Sequence, residues 1–126
     1  MSALDEARAH LAKANEFITA ARFNLELELH NAAASDAVVA GINAKDAVCL
    51  SLAGATRKSD SHQAAVAELK AVGPAGAALA PTLSRLLKLK SKAQYQAAAV
   101  TAPDASNALR WATKLVEGAA EALKGR

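Results

Sequence analysis

The chain has 126 residues, 52% hydrophobic and 3% aromatic, and a net charge of +3. This length predicts one domain over residues 1–126, and a composition rich in alanine but poor in aromatic residues favours helices over a sheet. A single cysteine excludes an internal disulfide, and charges interrupt every apolar run before it could span a membrane. We therefore expect a cytoplasmic protein with no membrane partner.

The positive charge is concentrated in the centre of the chain. Residues 57–92 contain seven basic and two acidic side chains, whereas residues 1–56 contain more acidic than basic ones. This segment is compatible with a polyanionic partner, but a charge bias of this size is a weak signal by itself.

The first two helices are predicted from the helical spacing of their apolar residues. Helix 1 follows a cap at Ser2 and runs to about Asn24, and helix 2 runs from about Asn31 to Ala53. Gly54 is a natural terminator for helix 2. Because helix 2 is apolar nearly all round, we expect it to be the central helix.

Polar residues interrupt this apolar helix along a single strip. They fall within an arc of about 100° on a helical projection, and they are Ser35, Asp36, Asn43 and Asp46. The strip has two interpretations, a solvated face or a polar wall that faces a site.

A short polar link then leads to helix 3, for which Ser59 or Asp60 is the predicted cap, and which ends near Val72. The glycines and proline at 73–76 predict a break.

Helix 4 is expected to start at about Ala77 or Pro81 and to run to Ala98. Helix 5 is expected to begin after a cap at Thr101, with Pro103 in its first turn. These elements predict an all-α fold, an antiparallel bundle of four to five helices.

The sequence offers few groups with catalytic chemistry. It has no glycine-rich phosphate loop and no histidine or cysteine spacing typical of metal ligands, so neither a metal nor another cofactor is expected. Arg57 and His62 remain, a permanent cation and an acid/base that titrates near neutral pH. RNA cleavage needs a base, an acid and a cation, but no metal, since the 2′-hydroxyl is the nucleophile. The alternative interpretation is an exposed segment that caps a helix.

The arrangement of the chain resembles the HEPN domain family of small helical bundles. The family's hallmark is an arginine followed, after four to six residues, by a histidine, and here Arg57 and His62 are separated by KSDS. An alanine-rich helix at 31–51 precedes these residues. The basic segment 86–95 and the closing helix at 104–119 are similar to the family's later helices.

This resemblance implies a homodimer in which two protomers bring their arginine and histidine together in a basic cleft. Many HEPN members are metal-independent endoribonucleases, often toxins of toxin–antitoxin or defence systems. Others are non-catalytic domains that bind a nucleotide, RNA or a partner protein, frequently beside a nucleotidyltransferase. Carried over to this chain, Arg57 would stabilise the scissile phosphate and His62 would act as general acid/base.

The chain also departs from the family pattern. The family's arginine is often followed by Asn, Asp or His, but here Lys58 follows, and Asp60 or Ser59 is a candidate replacement for the missing polar group. One toxin branch has a tyrosine two residues after the histidine that its antitoxin modifies. Ala64 stands there, so we do not expect control by an antitoxin of that kind.

Basic residues of helix 4 complete the predicted RNA-binding set. Lys90 lies among leucines on the inward side, where it either pairs with Asp46 or Asp36, extends to the surface, or lines an RNA cleft. Lys88 and Lys92 project from the same helix, as a solvated face or as a strip that contacts phosphates. The candidate substrate-binding residues are Lys58, Asp60, Lys88, Lys90 and Lys92.

Overall fold

A computed structural model describes residues 1–58, 61–95 and 99–126, and every regular element in these ranges is an α-helix. In chain order the helices are α1 (Ala3–Glu26), α2 (His30–Ala53), α3 (His62–Ala71), α4 (Pro74–Tyr95) and α5 (Ala102–Leu123). The predicted all-α bundle is therefore confirmed. In the described part of the chain, no helix combines the length and the apolar character needed to cross a membrane.

The helix ends follow local sequence signals. Ser2 and Asp5 form a capping box at the start of α1, with Asp5 N 3.1 Å from Ser2 Oγ. Thr101 accepts a hydrogen bond from the backbone N–H of Asp104 and caps α5. Gly54 ends α2 at a φ of 75°, a left-handed conformation that glycine adopts without strain. These three sequence predictions are confirmed.

Helix α2 packs against all four other helices, as its apolar sequence predicts. Helices α4 and α5 approach it so closely that a Cβ atom at Gly41 would overlap the side chain of Leu86. Cys49 is fully buried in this core, and burial raises the pKa of its thiol to about 11. The thiol is therefore protonated, and it lies near the charges of Lys45, Asp46 and Glu68.

The start of α3 differs from the sequence prediction. Its cap is Ser61, whose Oγ accepts a hydrogen bond from the backbone N–H of Ala64 at 3.2 Å. The predicted caps Ser59 and Asp60 lie outside the described residues. Because the helix begins one residue after Ser61, His62 occupies its first position.

The start of α4 also corrects the prediction. The helix begins at Pro74, not at Ala77 or Pro81, because Gly73 alone makes the break at a φ of 124° and proline suits the first helical position. Gly76 belongs to the helix and lets α4 pass close to α3, since a Cβ there would overlap the carbonyl oxygen of Leu69. Pro81 lies inside α4. The predicted end at Ala98 lies outside the described residues.

Candidate functional site

A cavity of about 310 Å³ opens where the link between α2 and α3 meets α1, α2 and α4. Arg57 and His62 both line it, although one precedes α3 and the other begins it. Leu83 and Leu87 of α4 form part of its apolar wall. The remaining described residues around it are Lys13, Ile42, Asn43, Lys45, Asp46, Lys58, Ser61, Ala65 and Lys90.

Arg57 has a fixed backbone and a free side chain. Its backbone N–H lies 3.1 and 3.0 Å from the two carboxylate oxygens of Glu68, and its carbonyl oxygen accepts from Lys45 Nζ at 3.1 Å. The side chain is 91% exposed, and Arg57 Nε is 4.0 Å from Glu68 Oε2. The guanidinium can therefore reach a ligand in the cavity without breaking a strong internal contact.

Buried charges hold the link beside Arg57. The Lys45 side chain is 3% exposed and forms ion pairs with Asp46 and Glu68. Thr56 Oγ1 donates to Asp46 Oδ1 at 2.6 Å and accepts from Lys45 Nζ at 3.1 Å. Each buried charge thus has an opposite charge or a hydrogen-bond partner, as a buried ion needs.

The pKa values of Lys45 and Glu68 are shifted in the directions that favour their charged forms. Burial opposes the charge on Lys45, but its hydrogen bond to Glu68 and the nearby Asp46 outweigh this and raise the pKa of Lys45. Burial likewise opposes the charge on Glu68, yet hydrogen bonds from Lys45 and from the Arg57 backbone hold the pKa of Glu68 below its usual value. Both residues are therefore ionised at neutral pH.

His62 has a different environment at the other end of the link. Its side chain is half-buried against α4, where Nδ1 lies 3.4 Å from Ser91 Oγ. Burial lowers the pKa of His62 below 6.5, and the ammonium of Lys90 lowers it further. At neutral pH the imidazole is thus mostly uncharged and able to accept a proton.

The predicted lysines occupy three different places. Lys58 and Lys90 line the cavity with Arg57 and His62, whereas Lys88 lines a neighbouring groove that also reaches His62. Lys92 forms an ion pair with Asp104 of α5 at 3.0 Å.

The two acidic residues considered for Lys90 are engaged elsewhere. Asp46 pairs with Lys45, and Asp36 accepts from Asn24 at 2.6 Å. No carboxylate of the described residues lies within ion-pairing distance of Lys90. Asp60, the remaining predicted site residue, lies outside the described residues.

The polar strip of α2 is divided between the two interpretations. Near the start of the helix Ser35 is exposed to solvent, whereas Asn43 and Asp46 are buried and line the cavity. The second half of the strip is thus a polar wall. In the first half Ser35 is solvated, whereas Asp36 is half-buried and hydrogen-bonded to Asn24 of α1.

Sequence reasoning did not select His10. Its Nδ1 lies 2.8 Å from Asn43 Oδ1, and the Asn43 amide donates to the Val39 carbonyl, so the amide oxygen accepts from His10. His10 Nε2 lies 3.5 Å from Lys58 Nζ. The signal was its spacing, since His10 follows the buried Ala7 by three residues and precedes Ala14 by four.

Sequence reasoning also missed Lys45, Thr56 and Glu68. Lys45 was recognisable as the one lysine in an otherwise apolar helix, next to Asp46. Glu68 gave no signal, because a glutamate in a short amphipathic helix usually faces solvent. Its role depends on how α3 packs beside the link, which the sequence pattern does not specify.

The cavity combines groups suited to a phosphodiester. Lys13, Lys58 and Lys90 line the cavity together with Arg57 and provide positive potential. A guanidinium can bind two phosphate oxygens at once, and an uncharged imidazole can accept a proton. Apolar side chains on one wall lower the local dielectric and strengthen these interactions.

The comparison with protein families adds an independent finding. A family model described as HEPN domain matches residues 7–122, nearly the whole chain. The matched range includes every residue named above in the cavity. No curated protein matches the chain.

Proposed function

The chain belongs to the HEPN domain family, and from that premise we propose that it is a metal-independent endoribonuclease acting as a homodimer. The observation that supports this most is that Arg57 and His62 line one cavity with Lys58 and Lys90. A basic cavity with a neutral imidazole matches the needs of RNA cleavage.

The proposed reaction uses the RNA's own nucleophile. His62 accepts the proton of the 2′-hydroxyl, whose oxygen attacks phosphorus while the bond to the 5′-oxygen breaks. Arg57 binds the phosphate oxygens, on which negative charge increases in the transition state. A protonated imidazole gives its proton to the leaving 5′-oxygen, and the products are a 2′,3′-cyclic phosphate and a 5′-hydroxyl.

A second protomer supplies what one cavity lacks. The reaction needs a base and an acid, but His62 is the one histidine among the described residues that line the cavity. A two-fold arrangement would bring a second His62 and a second Arg57 to the same phosphate. We therefore expect sedimentation at micromolar concentration to give about twice 12.9 kDa. A monomer at all concentrations would contradict this arrangement.

The same cavity favours a second candidate function, the binding of RNA, a nucleotide or a partner protein without cleavage. Lys58 follows Arg57 where many HEPN members have a smaller polar residue, and its ammonium lies 3.5 Å from His10 Nε2. An extra cation strengthens phosphate binding.

An RNA-cleavage assay separates the two functions. Wild-type protein should cleave a broad RNA pool in EDTA and leave 2′,3′-cyclic phosphate ends, whereas His62→Ala should bind the RNA without cleaving it. His30→Ala is the matched control, because His30 lies at the start of α2, outside the cavity lining. If wild-type protein binds RNA and cleaves none, the binding function replaces the enzyme.

The proposal extends to a toxin role in a toxin–antitoxin or defence system, with an antitoxin or a nucleotidyltransferase as partner. Induced expression of wild-type protein in a bacterial host should then arrest growth, and the His62→Ala variant should not. Growth arrest by both variants would disconnect the effect from RNA cleavage.

A further inference from the structure

The link between α2 and α3 is held at one residue, Arg57, by an ion pair between the buried Lys45 and the half-buried Glu68. Glu68 of α3 receives the backbone N–H of Arg57 on both carboxylate oxygens, and Lys45 of α2 donates to the backbone carbonyl of the same residue. Lys45 and Glu68 also pair with each other. The ion pair therefore holds Arg57 from both sides and joins the two helices across the link.

The ion pair makes contacts with the backbone of an exposed residue. A buried ion pair is often no more stabilising than two apolar side chains, because both ions lose their hydration. Here each ion forms a hydrogen bond with the backbone of Arg57, whose side chain is an exposed cation of the cavity. The backbone at Arg57 therefore has a defined position, while the Arg57 side chain remains free to move.

Thr56, the residue before Arg57, also forms hydrogen bonds with this charged group through Asp46 and Lys45. Thr56 Oγ1 lies 2.6 Å from Asp46 Oδ1 and 3.1 Å from Lys45 Nζ. Asp46 lies 3.2 Å from Lys45 and keeps the ammonium directed towards the link. The position of Lys45 is thus determined by carboxylates on two helices.

From this geometry we propose that Lys45 and Glu68 are positioning residues, which hold the backbone of Arg57 so that its guanidinium reaches the scissile phosphate. The role rests on the proposed ribonuclease function, and it adds two residues that do not contact RNA. Misplacement of a catalytic group by about 1 Å can cost roughly 100-fold in rate. Loss of the ion pair should therefore lower kcat more than it weakens RNA binding.

The main test replaces both charges at once. Lys45→Met with Glu68→Met removes the contacts to Arg57 and leaves neither member of the pair as an unpaired charge. Asp46 keeps its hydrogen bond from Thr56 and lies 4.0 Å from His10 Nδ1, so the fold should persist. We expect kcat for RNA cleavage to fall roughly 10- to 100-fold with a smaller change in KM. Glu121→Met with Lys124→Met is the matched control, because both side chains are exposed on and just after α5, and it should cleave like wild type.

A double-mutant cycle distinguishes positioning from general destabilisation. In an Arg57→Ala background the Lys45→Met and Glu68→Met changes should cause no further loss of cleavage, because the group they position is already absent. An additional loss of the same size in that background would overturn the proposal, as would wild-type kcat in the double methionine variant. Glu68→Gln keeps the shape and one acceptor oxygen, so it should give an intermediate kcat.

Amide hydrogen exchange tests the same contact without relying on catalysis. The Arg57 amide should exchange slowly in wild type and much faster in the double methionine variant, while amides in α5 keep their protection. Equal exchange of the Arg57 amide in both proteins would overturn the proposal. If wild-type protein cleaves no RNA, the ribonuclease function fails, and this experiment still decides whether the ion pair holds Arg57.

Discussion

The two ends of the link between α2 and α3 are built in different ways. At the Arg57 end, buried charges fix the backbone and leave the side chain 91% exposed. At the His62 end, a helix cap fixes the backbone, and the imidazole is half-buried beside Ser91 and Lys90.

The difference matches what each group would do in the proposed reaction. A guanidinium is charged at every relevant pH, so it needs correct placement and freedom to close on a phosphate. An imidazole must exchange a proton near neutral pH, so its surroundings have to set its pKa. Backbone anchoring provides the first property, and partial burial beside a cation provides the second.

The largest expected effects come from replacing His62 and Arg57 separately by alanine. His62→Ala should lower the rate of RNA cleavage about 100- to 10,000-fold and leave RNA affinity nearly unchanged, because it removes proton transfer alone. Arg57→Ala should lower both, because it removes a phosphate contact that strengthens in the transition state. Filter binding and single-turnover cleavage measure the two quantities. Equal losses of affinity in both variants would contradict the contrast between the two ends.

The next effect concerns the stability of the Arg57 end. Lys45→Met leaves the buried Asp46 and the half-buried Glu68 without their cation, which should cost about 3–5 kcal/mol in the free energy of unfolding. Urea denaturation measures it, and Lys124→Met should stay within about 0.5 kcal/mol of wild type as the exposed control. A Lys45→Met protein as stable as this control would show that the ion pair contributes little.

The His62 end should be less sensitive. Ser61→Ala removes the side-chain oxygen that accepts the Ala64 amide and should cost about 1 kcal/mol of stability, as loss of a helix cap usually does. The same urea series tests this value. A loss as large as that of Lys45→Met would remove the difference in anchoring between the two ends.

The smallest expected effect is a change in proton affinity. Lys90→Gln should raise the pKa of His62, because it removes the nearby cation and leaves the lowering by burial. Because the native pKa of His62 lies below its value in the unfolded chain, folding stability declines as the pH falls from 6.5 through the native pKa. In the Lys90→Gln variant this decline should be less steep than in wild type. An NMR titration of the imidazole gives the pKa, with Lys124→Gln as control. An unchanged or lower pKa would show that Lys90 does not influence His62.

The helical bundle and the Arg57 and His62 motif could be predicted from the sequence, because both depend on local patterns. Helical periodicity located α1, α2 and α5, and the spacing of Arg57 and His62 is visible in the chain itself. The start of α4 at Pro74 was missed because glycine and proline in one short run indicate both a break and a helix start. The contacts of Lys45 with Glu68 were missed because they join two helices through a link whose path is fixed by packing.

The most direct test of a composite site uses mixed dimers. In the proposed reaction one His62 is the base and the His62 of the second protomer is the acid, so a dimer of one wild-type and one His62→Ala chain lacks one of the two groups. We expect co-expressed, tandem-purified mixed dimers to cleave RNA in EDTA roughly 100-fold more slowly than wild type, close to the His62→Ala homodimer. Mixed dimers that keep half of the wild-type rate would contradict a site shared between protomers.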